Sequence, residues 1–305
     1  KVSIACLIYK SPEYGDFVYN SLRKHTPMLK TGEAEFYFVV NNGTDELKAY
    51  LHDKRYPNYI FETEPQLSYP QNLPYIYKAW NFAVEKAKAP IVVLINSDMA
   101  FSKNWLENLI KHLDTKKVIT SRLVESGKLA SIFPHTIVQN FGRTPETFDE
   151  ENFQIFAESV KQDRLEPLGT FMPMAIYKDL FLKAGGYPEG NRVLPNNKQI
   201  SGDQIFFYER LRSIGVDHFT AINSVCYHIQ TGESNSNEDL LNEAIKIGGN
   251  LSMEEGKKLY EFAKDGLGNG VIVEIGTYQG RSTVFLGIGT KEANREKVFT
   301  IDNYT

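Results

Sequence analysis

The sequence predicts an α/β protein: a mostly parallel, doubly wound sheet flanked by helices over residues 1–235, followed by a smaller α/β unit over 236–305. Three observations predict it. Short apolar runs rich in β-formers alternate with stretches of helical spacing along the first hundred residues. The run 91–95 (IVVLI) is continuously apolar, as expected of a strand with helices on both faces. A small, polar stretch at 231–237 (TGESNSN) then separates two such patterns.

Length and composition narrow the class. A chain of 305 residues can bury a large core in more than one unit. With 34 Lys+Arg against 38 Asp+Glu the net charge is −4, which leaves no basic footprint for nucleic acid. The apolar runs are too short for a transmembrane segment. Cys6 and Cys226 both lie in apolar runs and make neither a disulfide framework nor a zinc site. A reducing compartment follows: a cytoplasmic protein, with peripheral membrane placement as the alternative.

Taken in order, strands are expected at 2–9 and 36–40, with a weaker one at 59–61. Ser11 followed by Pro12 starts a helix that ends before Pro27. Residues 73–88 read as a helix through Ile76, Trp80, Ala83 and Val84, and Ser102 opens another carrying Trp105, Leu106, Leu109 and Leu113. The pattern loosens over 124–168, with one helix at 145–160. It resumes with a strand at 170–177, helices at 178–184 and 203–213, and strands at 218–222 and 225–229. The smaller unit reads as a helix at 253–263, a strand at 271–275, a glycine-bearing turn, a helix, and a strand ending at Asp302.

Asp98 stands just beyond the buried run 91–95, at the carboxyl edge of the sheet, where ligands of such folds bind. It reads either as a ligand for a cation and diphosphate or as an ordinary turn residue. Asp203, opening a helix, reads either as a general base or as the helix N-cap.

Asn96-Ser97-Asp98, with Trp105-Leu106 after it, resembles the Asp-any-Asp segment of family 2 glycosyltransferases, which have the GT-A fold. The last acid is kept and the first has become Asn96. Further motifs resemble that family in the same order. Ile8-Tyr9 matches the loop after the first strand, and Val40-Asn41-Asn42-Gly43 the second-strand segment. Lys78 and Asn81 fall on the helix before the metal strand, and 169–189 resembles the acceptor-side strand, helix and Gly-Gly turn. Gly202-Asp203 stands at the family's Glu-Asp, and His228 follows the last core strand. The resemblance implies donor contacts at Tyr9, Asn41, Asn42, Lys78, Asn96 and Asp98. It implies Mn2+ or Mg2+ on Asp98 and His228, and Asp203 as the base of an inverting transfer. Plainer readings stand beside these: a tight turn for Asn42-Gly43, a solvated side chain for Lys78, a structural role for His228.

Residues 271–283 (VIVEIGTYQGRST) resemble motif I of class I S-adenosylmethionine-dependent methyltransferases. The resemblance implies a cofactor edge at Glu274, Gly276, Gly280 and Asp302, in what reads as the truncated N-terminal portion of such a domain. S-adenosylmethionine is expected only with the remainder of that domain present.

The expected function is therefore metal-dependent, inverting transfer of a hexosyl group from a UDP, GDP or dTDP sugar to a hydroxyl on a glycan or lipid-linked acceptor, as in polysaccharide biosynthesis. The loose segment 124–168, with Phe133, His135, Phe141 and Phe148, is the expected acceptor surface, with core packing as the equal reading for most of these aromatics. Two alternatives are a non-catalytic nucleotide-sugar- or glycan-binding scaffold, suggested by Asn96 and Gly202, and a glycan methyltransferase with a recruiting domain.

Overall fold

A computed structural model describes residues 1–63, 73–127, 132–195, 199–229, 237–266, 270–293 and 297–303. Of the linker expected at 231–237, residues 231–236 lie outside them, and Asn237 opens a helix. The chain forms two compact units, Lys1–Glu233 and Ser234–Thr305.

The larger unit runs β1 (Val2–Ile8), α1 (Pro12–His25), α2 (Pro27–Thr31), β2 (Ala34–Asn41), α3 (Asp45–Asp53), β3 (Asn58–Phe61), α4 (Leu73–Lys86) and β4 (Ile91–Asn96). It continues through β5 (Met99–Phe101), α5 (Trp105–Ile110), β6 (Lys117–Glu125), β7 (Ile137–Val138), α6 (Glu150–Val160), β8 (Leu165–Pro167), β9 (Met174–Tyr177) and α7 (Lys178–Lys183). The short pair β10 (Arg192–Val193) and β11 (Gln199–Ile200) precedes a helix made of α8 (Gly202–Ile205), a π turn over Phe206–Arg210 and α9 (Leu211–Ser213), which leads into β12 (Asp217–His228).

The main sheet has the order β3-β2-β1-β4-β9-β6-β12-β5. Strands β3, β2, β1 and β4 are parallel, but β9 lies antiparallel to both β4 and β6. The sheet is thus mixed: β1–β4, β6, β7 and β12 run one way, as in the mostly parallel sheet expected, and β5, β8 and β9 run against them. An apolar run reads the same in either direction, so its pattern carries no polarity. The two strands expected at 218–222 and 225–229 are one, β12, bulged between Ala221 and Val225. The bulge is anchored where Ser224 Oγ meets Ser121 Oγ at 2.8 Å and donates to the Trp105 carbonyl.

Both faces of the parallel half are covered. Ile4, Cys6, Phe38, Val93 and Ile95 pack with Val18, Leu22, Leu51 and Trp105 of α1, α3 and α5. The alternating residues Ala5, Val39, Val92 and Leu94 pack with Trp80, Val84, Phe181 and Phe206 of the other helices. This is why β4 shows no polar alternation, and each such large side chain contributes about 1.5–3 kcal/mol by leaving water.

The smaller unit comprises α10 (Asn237–Ala244), α11 (Met253–Asp265), β13 (Ile272–Ile275), α12 (Arg281–Glu292) and β14 (Val298–Ile301). Ser252 and Glu255 close a capping box on α11, and β13 pairs in parallel with β14. Phe285 of α12 is fully buried. A Cβ on Gly256 would fall 2.5 Å from its ring, so the helices meet at a glycine. Among the described residues, one face of β13–β14 is left bare: Val273, Ile275, Phe299 and Ile301 are all at least half exposed. No helix among the described residues is long and apolar enough to cross a membrane.

Candidate active site

The parallel strands gather most of the expected residues along one edge. Strands β4, β6 and β12 point the same way, because β9 reverses direction against both β4 and β6 and β12 runs parallel to β6. Their carboxyl ends supply Asn96 and Asp98, Glu125, and His228; Tyr9 and Asn41–Asn42 follow β1 and β2 on the same edge.

Register sets the central contact. Glu125 is the partner of His228 in the β6–β12 ladder, His228 pairs with Met99 of β5, and the Ile229 amide donates to the Asp98 carbonyl. The His228 ring therefore bridges two carboxylates: Nδ1 lies 2.7 Å from Glu125 Oε2 and Nε2 lies 3.1 Å from Asp98 Oδ2. Burial pushes the imidazole pKa down, but Asp98 and Glu125 together outweigh it and raise it to about 10. The ring is thus an imidazolium that donates to both acids.

The other oxygen of Asp98, Oδ1, is buried without a hydrogen-bond partner. A buried carboxylate oxygen left so costs about 1–3 kcal/mol or more, which a cation would relieve. Asp98 Oδ1 and, once deprotonated, His228 Nε2 fit a Mg2+- or Mn2+-type ion, which binds few side chains and completes its shell with phosphate and water. Glu125 faces the far side of the ring, and no three His, Cys, Asp or Glu among the described residues converge as a closed metal cage. Sequence reasoning missed Glu125; only the strand register brings it to His228.

The remaining donor-side residues are placed differently from one another. Asn96 ends β4, half-buried. Tyr9 carries Lys10 Nζ 5.3 Å from its ring centre. Asn42 has a left-handed backbone (φ 51°), its Oδ1 accepts the Thr63 amide at 2.8 Å, and its Nδ2 donates to Thr63 Oγ1. That amide fastens β2 to the segment after β3. Gly43 beside it is required by space, since a Cβ would fall 2.2 Å from Val40 Cγ1. Lys78 is exposed on α4. Asn81 clamps the Gly185-Gly186-Tyr187 turn by bonding both the amide and the carbonyl of Tyr187.

Asp203 lies in the first turn of α8 but does not cap it. Ser201 does, in a capping box with Gln204. Burial raises the Asp203 pKa to about 6, against the pull of a hydrogen bond from the Tyr77 hydroxyl to Oδ2 at 3.1 Å. A carboxylate with that affinity for protons is suited to general base work near neutrality.

The expected acceptor aromatics are corrected in part. Phe141 is buried, Phe148 stacks on Tyr227 at 5.3 Å, and both join Phe153 in a core cluster. Phe133 meets the edge of Phe171, and His135 Nε2 lies 3.0 Å from the Pro167 carbonyl. The segment carries many aromatics because it supplies a third core, beside the bulged end of β12.

In the smaller unit Gly276 and Gly280 have left-handed backbones (φ 84° and 89°), and nothing lies near a Cβ built on Gly276. Glu274 accepts from the hydroxyls of Ser282 and Thr283, and Asp302 Oδ2 accepts the Tyr278 amide at 2.6 Å.

Fold and edge together define an α/β protein with an acid-lined site at the carboxyl ends of its strands. The chain belongs to glycosyl transferase family 2, whose model matches residues 3–165, more than half of its length. Among solved structures it is similar to GalNAc-T7 with UDP, GalNAc and Mn2+, at 14% identity and a TM-score of 0.50, over 97% of this chain and 55% of that one. It is also similar to residues 1–349 of S. aureus TarS, at 16% identity and a TM-score of 0.49, over 87% of this chain and 71% of that one. A third is the mannosyltransferase PcManGT from Pyrobaculum calidifontis with GDP-Man and Mn2+, at 13% identity and a TM-score of 0.48, over 83% and 66%. The first of these carries the likeness in fold to a GT-A enzyme.

Proposed function

We propose that the larger unit transfers a sugar from a nucleoside-diphosphate donor to a hydroxyl acceptor in a single inverting displacement. The observation that carries this reading is Asp98, whose buried Oδ1 has no partner at the edge where a diphosphate would lie. Asp98 and His228 would hold Mn2+ or Mg2+, with Glu125 orienting the imidazole through Nδ1. A divalent cation bound there supplies positive charge against the leaving diphosphate. Asn41 and Asn96, at the ends of the strands on either side of β1, offer neutral amide contacts to the nucleoside. Asp203, relieved of capping by Ser201, takes the proton of the attacking hydroxyl. GalNAc-T7, similar in fold, is solved with UDP and Mn2+, which makes that pair the first to test.

The test is thermal unfolding with UDP, GDP and dTDP, each with Mn2+ or a chelator. A ligand at 100 times its Kd adds about 2.7 kcal/mol, enough to move the midpoint by several degrees. The expected result is a Mn2+-dependent shift with one nucleotide, lost in Asp98→Ala. No shift with any of them turns the assignment toward a glycan-binding scaffold.

For the smaller unit the reading is a nucleoside-type cofactor edge at Glu274, Gly276, Gly280 and Asp302, supported by the open, left-handed glycines between two parallel strands. Isothermal titration with S-adenosylmethionine checks it; absence of heat at millimolar ligand removes it.

A further inference from the structure

We infer that Tyr77 is a positioning residue for Asp203, holding one carboxylate oxygen so that the other faces the acceptor hydroxyl. The inference rests on the reading of Asp203 as base, and the observations behind it are geometric.

Tyr77 is buried on α4 and its ring is held by stacking. It stacks on Tyr187 at 5.4 Å with an 11° interplanar angle, and Tyr187 stacks in turn on Phe206 at 4.4 Å, in the helix whose first turn holds Asp203. Its hydroxyl has one proton and two acceptors in reach, Asp203 Oδ2 at 3.1 Å and Asn191 Oδ1 at 3.4 Å. Asn191 Oδ1 already accepts the Gly202 amide at 2.9 Å, so the proton goes to the nearer, charged acceptor. Oδ1 of Asp203 is then the oxygen left for the acceptor.

Gly202 completes the arrangement. Its backbone is helical, so a glycine is not required there by conformation. A Cβ would, however, fall 2.3 Å from Cε2 and 2.5 Å from Cζ of Tyr77. Any side chain at 202 would drive the ring off the carboxylate. The departure from the family's Glu-Asp pair at this place is matched by the tyrosine ring that fills the space.

The titratable groups facing Asp203 are Tyr77 from α4 and Tyr187 from the turn after α7, with neutral Asn191 beside them. Burial holds both phenols well above their ordinary range. Tyr77 therefore stays a donor while Asp203 titrates.

The experiment is a carboxyl titration of the full chain labelled with 13C-aspartate, the Asp203 signal being assigned by its loss in Asp203→Asn. Tyr77→Phe keeps the stack and removes only the hydroxyl; the midpoint is expected to rise by about half a unit or more, because a bond to the charged form is gone. Gly202→Ala, which pushes the ring away by another route, is expected to move it the same way. In release of UDP from UDP-hexoses, Tyr77→Phe should lower kcat about tenfold or more with KM nearly unchanged. A midpoint unmoved in both variants overturns the inference. If instead the midpoint moves while Asp203→Asn retains full turnover, the base reading fails and Tyr77 merely tunes a bystander.

Discussion

Two parallel-strand edges in this chain carry acids, and they differ in what those acids hold. At the edge of the larger unit, Asp98 shares one oxygen with His228 and keeps a buried oxygen unpartnered. In the smaller unit, Glu274 accepts two hydroxyls from the start of α12, and Asp302 accepts the Tyr278 amide. The first edge carries an unmet electrostatic demand inside a sheet packed on both faces; the second meets its demand locally, on a two-stranded sheet with one bare face. An acid left unmet at a strand end is poised for a cation, whereas acids already held by hydroxyls and an amide shape the turn beside which the proposed cofactor edge lies.

The comparison can be broken at several points, and the largest effect is kinetic. Asp203→Asn should lower sugar transfer about a thousandfold while the protein stays folded, since it removes only the proton acceptor. Turnover within a factor of a few of the parent would end the base assignment. Next is the core contrast between the two sheets. Leu94→Ala, fully buried in β4, should cost about 2–5 kcal/mol in chemical denaturation, against less than about 0.5 kcal/mol for Val273→Ala on the bare face of β13. Equal costs would mean that the β13 face is covered.

The edges themselves are tested by Asp98→Ala, expected to weaken Mn2+-dependent nucleotide binding about 100-fold in calorimetry. Asp302→Ala is the matched control and should leave that affinity unchanged. Loss of binding in the control would show that the nucleotide sits elsewhere.

The pH dependence of stability separates wild type from Asp203→Asn. Burial raises this carboxyl to about 6, so the folded state holds its proton more tightly than the unfolded chain does. Its contribution is full at low pH, below the unfolded value near 4, and is lost as pH rises to about 6, on the order of 3 kcal/mol. The asparagine variant should lack this decline and be the more stable protein at pH 7. Parallel stability curves for the two would place Asp203 in solvent.

Much of the fold was legible in the sequence. The strands at 2–8, 34–41 and 91–96 and the helices at 12–25 and 73–86 follow from apolar spacing, the Ser11-Pro12 start and Pro27; the short helices at 27–31 and 45–53 were not read. Asp98 and Asp203 were visible because each follows a recognisable local feature, a buried strand and a helix start. Glu125 and Tyr77 were not: one falls where the pattern loosens after 124, in a strand that the spacing did not announce, the other in a helix face that reads as packing. Phe141 and Phe148 stayed open between two readings, because an aromatic on a sugar-binding surface and one in a core have the same sequence signature; the structure puts them in a core.

The sequence by itself determined the periods, caps and breaks, and with them the elements, the two-unit pattern and the acids at the strand ends, because these depend on neighbours within a few residues. The tertiary structure alone decided the reversal of β9, the row from Glu125 through His228 to Asp98, and the meeting of Tyr77 with Asp203 across 126 residues of chain. Direction, register and contact between distant side chains are settled when the sheet pairs and the helices pack, and no local pattern encodes them.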